Sequence, residues 1–264
     1  MASAIAQGLH QQGGFALSVA DPHAPARQRW QADFSATQLS SADDASPPRD
    51  TQAANEFDAL ILAVKPQQFA QAAQDWAASL TPNTLVISVM AGIPIAKISA
   101  ALGGHAAVVR TMPNTPARIG QGITALFATP ECSPAQTALA QTVLASVGQT
   151  VWLDAESQID AVTAVSGSGP AYVFYIAQAM QDAGVALGLP PATARQLTLA
   201  TLQGSAALAA DCGEDLHALR EQVTSKGGTT AAALAVFKAA HLDESVHAAL
   251  RAAHGRAQEL ASQS

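Results

Sequence analysis

Over the first 153 positions, apolar residues cluster in short unbroken runs separated by stretches of helical spacing. Residues 57–64, 84–90, 105–110, 122–128 and 149–153 read as strands. These runs are continuous rather than alternating, the pattern of strands in a parallel sheet covered on both faces. Between them, 66–80, 93–102 and 133–147 carry helical periodicity, the last opened by Ser133-Pro134. Upstream, residues 1–10 spell a helix with Ile5 and Leu9 on one face, stopped by Gly13-Gly14. A short strand at 15–20 ends at Asp21-Pro22, and 26–32 is helical again. Residues 35–39 suit a short strand, 40–50 a loop carrying Pro47-Pro48, and 112–116 a rigid loop.

Past residue 154 the period changes to 3.6 almost throughout. Helices are predicted from 159, then over 171–187, 190–210, 214–223, 230–240 and 242–260, with Ser166-Gly167-Ser168-Gly169-Pro170 as an interruption. The fold class expected is therefore α/β: a Rossmann-type parallel sheet domain over 1–153, followed by an all-helical domain over 154–264. The second domain is alanine-rich and more apolar than one subunit needs to cover its sheet, so a helical dimer interface is expected.

Composition narrows the function. The chain is 49% hydrophobic and 12% charged, enough for a sizeable core, and its formal net charge of -7 comes without a basic tract. A nucleic-acid binder needs a positive footprint, so that class is set aside. The apolar run at 60–64 is far too short to span a bilayer, and no signal peptide opens the chain. Cys132 and Cys212 form neither a disulfide framework nor a metal spacing, which fits a reducing cytoplasm. No Ser-His-acid, Cys-His or His-Glu-x-x-His arrangement is present.

The glycine-rich turns are then the candidates, in a fold suited to cofactor chemistry. In Val223-Thr224-Ser225-Lys226-Gly227-Gly228-Thr229-Thr230 a helix stops at two glycines and a new one begins, with Thr229 or Thr230 expected at the N-cap. The stretch is either a plain connector or an anion site, since N–H groups at a helix start attract negative charge. Ser166 and Gly167 sit in a second such turn, either a cap or a cleft lining. Pro113, Asn114 and Thr115 follow one strand's carboxyl end, and Val64, Lys65 and Pro66 another's, where ligands bind in doubly wound sheets. Asp21 fits either an ordinary turn or the acid that ends the second strand of a dinucleotide-binding unit.

Three blocks carry a resemblance: residues 219–237 (Leu-Arg-Glu-Gln-Val-Thr-Ser-Lys-Gly-Gly-Thr-Thr-Ala-Ala-Ala-Leu-Ala-Val-Phe), 164–174 (Ala-Val-Ser-Gly-Ser-Gly-Pro-Ala-Tyr-Val-Phe) and 110–116 (Arg-Thr-Met-Pro-Asn-Thr-Pro), with Ala63-Val64-Lys65-Pro66 beside them. Together they resemble the pyrroline-5-carboxylate reductases. The resemblance implies reduction of 1-pyrroline-5-carboxylate to L-proline, the last step of proline biosynthesis, by hydride from NADPH or NADH. It implies homodimers through the helical domain that assemble further into rings. It assigns Thr230 to the substrate's ring nitrogen, and Ser225, Gly227, Gly228, Thr229, Ser166 and Gly167 to the substrate. Val64, Lys65, Pro66, Pro113, Asn114 and Thr115 are assigned to the cofactor, with Asp21 and Arg27 flanking its adenosine ribose. An acid there favours the free hydroxyls of NADH and an arginine the 2′-phosphate of NADPH; the family leans to NADPH. No metal is implied.

Two departures stand out. The family opens with a strand and a Gly-x-Gly loop, about fifteen residues, and Met1-Ala2-Ser3-Ala4 resembles the segment just past that loop. Poor dinucleotide binding and marginal folding are expected of the chain as written. Lys226 stands where most relatives carry proline. The competing readings are a related NADPH-dependent imine or ketone reductase, which would place a lysine on the interdomain helix where none occurs between Leu153 and Lys226, and a non-catalytic oligomerising relative.

Overall fold

The computed structural model describes residues 1–34, 37–38 and 57–263. The predicted loop at 40–50 and most of the strand at 35–39 lie outside them. The chain divides into two compact units, one of residues 1–168 and 253–264, the other of 169–252.

The first unit holds a five-stranded sheet in the order β3 (Ala59–Leu62), β4 (Leu85–Ser88), β5 (Val108–Pro113), β6 (Gly122–Ala128), β7 (Gly148–Trp152). A separate two-stranded parallel sheet pairs β1 (Ser18–Val19) with β2 (Thr37–Gln38). The central strands are apolar on both faces because both are covered. Leu85 and Ile87 point into a core with Ile5 and Leu9 of α1 (Ala2–Gln12) and Val143 and Leu144 of α5 (Pro134–Ala145). Val86 and Val108 point the other way, against Phe69 and Ala73 of α3 (Phe69–Trp76) and Ile98 of α4 (Ile95–Ala101). Between strand and helix, Ser133 caps α5 by a full capping box with Gln136.

The sheet is Rossmann-like but not wholly parallel. β5 and β6 run antiparallel, with Pro113 opposite Thr124. Residues 114–121 between them are too few for a parallel crossover, which takes about a dozen or more. The strand also runs further than expected: Met112 and Pro113, predicted as loop, belong to β5.

From α6 (Gln158–Val162) the chain is helical. It passes through one π turn, Thr163–Gly167, rather than breaking there. The second unit contains α7 (Gly169–Ala186), α8 (Pro191–Cys212), α9 (Leu216–Gln222), α10 (Thr229–Ala239) and the first half of α11 (Leu242–Gln263). Gly184 lets α7 approach α8, since a β-carbon there would lie 3.3 Å from that of Ala194. Few of these helical side chains are buried: Phe174 and Tyr175 of α7 are 67% and 74% exposed and Phe237 of α10 is 53% exposed. Among the described residues no helix is long and apolar enough to cross a membrane.

Candidate active site

In the first unit β3, β4 and β5 are mutually parallel, so their carboxyl ends share one edge of the sheet. β3 leads into half-buried Val64 and exposed Lys65, which adopts extended backbone ahead of a short 3-10 turn beginning at Pro66. Gln68 N–H closes that turn on the Lys65 carbonyl at 2.8 Å. β5 ends in Pro113, which is buried. Asn114 follows, and its Oδ1 accepts the Ile123 amide at 3.0 Å, tying the loop to β6. Among the described residues its side-chain nitrogen and the exposed Thr115 hydroxyl have no hydrogen-bond partner in the loop and are open to a ligand. A cleft of about 230 Å3 runs beside β3, lined by Leu17, Ser18, Ala20, Leu60, Leu62 and Val64 among others.

Asp21 and Arg27 do come together, but not as an open ribose site. The Asp21 carboxylate accepts the His23 amide at 2.8 Å, and Arg27 Nη1 donates to the Asp21 carbonyl. Arg27 is only 3% exposed. It braces the turn that Asp21 opens.

Ser166 and Gly167 occupy the π turn. The turn is closed by Ser168 N–H to the Thr163 carbonyl at 2.8 Å, and the Ser166 hydroxyl donates back to Val162 at 3.2 Å. Such turns inside helices concentrate at functional sites. A β-carbon on Gly167 would sit 2.5 Å from Cε of Met112. The turn therefore packs against the Met112 side chain at the end of β5, beside Pro113 and Asn114.

Arithmetic of charge exposes two residues that hydrophobic patterning does not single out. Arg110, inside an apolar run on β5, is 4% exposed. Its Nη1 meets Glu156 Oε1 at 2.7 Å. The available signal was a lone cation in a strand buried on both faces, which demands an anion somewhere.

In the second unit the turn after α9 is built from backbone alone. Gly228 N–H donates to the Ser225 carbonyl at 3.0 Å, and Gly227, third residue of that turn, has φ 74°. A positive φ at the third position alone marks a type II turn, which glycine satisfies without strain. Neither threonine is the N-cap: Gly228 is, in extended backbone and with no side-chain cap, so Thr229 and Thr230 form the first positions of α10. A β-carbon on Gly228 would lie 3.2 Å from the Ser225 carbonyl oxygen, a tight fit that glycine avoids. The Gly228 amide is committed to the turn. Those of Gly227, Thr229 and Thr230 have no acceptor inside it, and first-turn amides of a helix have no intrahelical partner. The segment offers amides that could hold a small anion at the positive end of an 11-residue helix whose first turn carries Thr230. Among the described residues no cluster of His, Cys, Asp or Glu is placed to hold a metal.

The family model for pyrroline-5-carboxylate reductase dimerisation matches residues 156–260. A model described as NADP oxidoreductase, coenzyme F420-dependent, matches residues 1–92. A pyrroline-5-carboxylate reductase of Pseudomonas aeruginosa is 43% identical over 100% of this chain and 94% of its own length. The solved structure of a pyrroline-5-carboxylate reductase from Coxiella burnetii is 35% identical, with a TM-score of 0.87 over 98% of this chain and 94% of that one. A Plasmodium falciparum pyrroline carboxylate reductase solved with NADP bound shares the fold at 24% identity, with a TM-score of 0.80 over 98% of this chain and 94% of that one. Matched along its whole length at such identity, the chain belongs to the pyrroline-5-carboxylate reductase family.

Proposed function

We propose that the chain reduces 1-pyrroline-5-carboxylate to L-proline in the cytoplasm, with NADPH as the preferred donor and NADH as the alternative. The observation that carries this is the 43% identity to the Pseudomonas aeruginosa reductase over the whole length of the chain. The NADP oxidoreductase match over residues 1–92 supports the nucleotide. We assign 1–153 to dinucleotide binding and 154–264 to substrate binding and dimerisation. The exposed aromatic side chains of α7 and α10 are the faces a second copy would cover.

The residues at the carboxyl edge fit a dinucleotide: a half-buried Val64 with accessible backbone, exposed Lys65 and Pro66, the free amide nitrogen of Asn114 and the Thr115 hydroxyl. When bound, the nucleotide supplies a hydride to the imine carbon. The protein's own part is orientation. The Gly227, Thr229 and Thr230 amides, with the Ser225 hydroxyl, hold the substrate carboxylate at the start of α10. The Thr230 hydroxyl hydrogen-bonds the ring nitrogen and keeps its proton in place as the positive imine is neutralised. A strong protein acid is not required, because a protonated imine is already the better acceptor. Ser166 and Gly167 are assigned to the substrate as well. Oxidation of NADPH by the purified chain, dependent on added 1-pyrroline-5-carboxylate and yielding proline, is the expected result. Its absence, with the protein folded, would refute the assignment.

A further inference from the structure

One oxygen of Glu156 holds three separate pieces of the first unit. Oε1 accepts Arg110 Nη1 at 2.7 Å and the Ile95 amide at 2.8 Å. Arg110 lies on β5 three residues before Pro113, Ile95 opens α4, and Glu156 opens the turn into α6, where the Ile159 amide donates to its carbonyl at 3.0 Å. That turn is stiff in itself. Gln158 Oε1 caps the Asp154 and Ala155 amides at 3.0 and 3.1 Å. Through α6 it continues without a break into the π turn that carries Ser166 and Gly167.

Arg110 gives the arrangement its rigidity. Among the described residues its buried Nε has no hydrogen-bond partner, so the bond to Glu156 compensates the buried guanidinium. A sheet strand on either side, with Arg110 opposite Ser88 and Phe127, prevents β5 from shifting to find another. The element free to move is therefore the 154–167 segment. Asn114 is held separately, by its own bond to the Ile123 amide.

We propose that Glu156 is a positioning residue: anchored by Arg110 and the Ile95 amide, it fixes the π turn that carries Ser166 and Gly167, the residues of this unit assigned to the substrate, without governing the cofactor loop. This rests on the reductase reading above. Glu156→Ala is expected to raise KM for 1-pyrroline-5-carboxylate by about tenfold, the scale of one charged hydrogen bond, while KM for NADPH stays within about twofold. Glu156→Gln retains an acceptor oxygen and is expected to recover most of that loss. It also serves if the alanine variant fails to fold. A merely structural residue would lower the active fraction and leave both KM values alone; that result, or equal rises in both, would overturn the proposal. Hydrogen exchange separates this from failure of the reductase reading. If the wild-type chain does not turn over, faster exchange of amides 158–168 in the variant, with the β4 and β5 amides unchanged, still supports the positioning role, and unchanged exchange at 158–168 overturns it.

Discussion

The loop after β5 and the turn before α10 both depend on glycines next to candidate ligand residues, yet they are held in opposite ways. Residues 113–122 are fixed by their surroundings: Pro113 is buried, Asn114 is bonded to Ile123, and Gly122 packs so closely that a β-carbon would lie 2.9 Å from the backbone of Ala117. Residues 225–228 are exposed or half-exposed and held by one backbone hydrogen bond. Gly227 needs its positive φ, but a β-carbon there would meet nothing within 4 Å. In the first segment, damage propagates through packing and should register as stability. In the second it stays local and should register as function.

The largest effect tests the packed side. Gly148 of β7 pairs with Gly122, has φ 143°, and a β-carbon there would fall 2.0 Å from the Gly122 carbonyl oxygen. Both obstacles are backbone, so no side chain can rotate to relieve them. Gly148→Ala is expected to destabilise by about 3 kcal/mol, visible as a large drop in Tm and in the midpoint of denaturant unfolding. A wild-type midpoint would show that the β6–β7 edge opens freely and that packing does not fix this region.

On the exposed side, Thr230→Val keeps the shape and removes the hydroxyl. Among the described residues the hydroxyl has no partner within the chain, and it lies in the first turn of α10, so stability should be unchanged. The rate constant kcat/KM should fall about tenfold, the value of one hydrogen bond to the reacting nitrogen. Steady-state kinetics alongside a melt would decide it: a lowered Tm with unaltered kinetics would remove Thr230 from the mechanism.

The legibility of the sequence divides along the same line. The strands are legible because Leu85 to Ile87 are apolar on both faces, and burial on both faces leaves that trace. Strand direction is not, since apolar runs carry no polarity; only the shortness of residues 114–121 hints that β6 reverses. The cradle is legible from its two glycines, but side-chain preference alone assigns the cap to a threonine, because the space beside Ser225 is set by the fold. Arg27 reads as available because nothing local signals that α2 (Ala24–Phe34) buries it. Arg110 and Glu156 escape notice because 46 residues separate them and their pairing is made only by the fold.

Gly227→Ala separates conformation from contact. No neighbour is struck, so the cost is only that of holding an L-residue at φ 74°, about 1 kcal/mol. That cost would fall on the turn rather than the core. The expected result is a KM for 1-pyrroline-5-carboxylate raised about fivefold, with KM for NADPH unaltered. If both rise together, the turn is not a substrate element.

The smallest effect sharpens the contrast most, because it should move stability upward at a functional segment. Lys226 is the second residue of the type II turn, exposed, with Ser225 and Gly228 joined across it. Proline suits that position, since its fixed φ matches the turn and a missing N–H costs nothing where none is bonded. Lys226→Pro is expected to stabilise by about 0.5 kcal/mol, through fewer conformations of the unfolded chain. Lys226→Gln removes the same charge without restricting the backbone and should leave Tm where it was. If the backbone amides of Gly227, Thr229 and Thr230 suffice to hold the carboxylate, neither variant changes KM for 1-pyrroline-5-carboxylate. A matching rise in both would instead make the lysine charge part of the cradle, and a rise in the proline variant alone would mean that the turn must flex to admit its ligand.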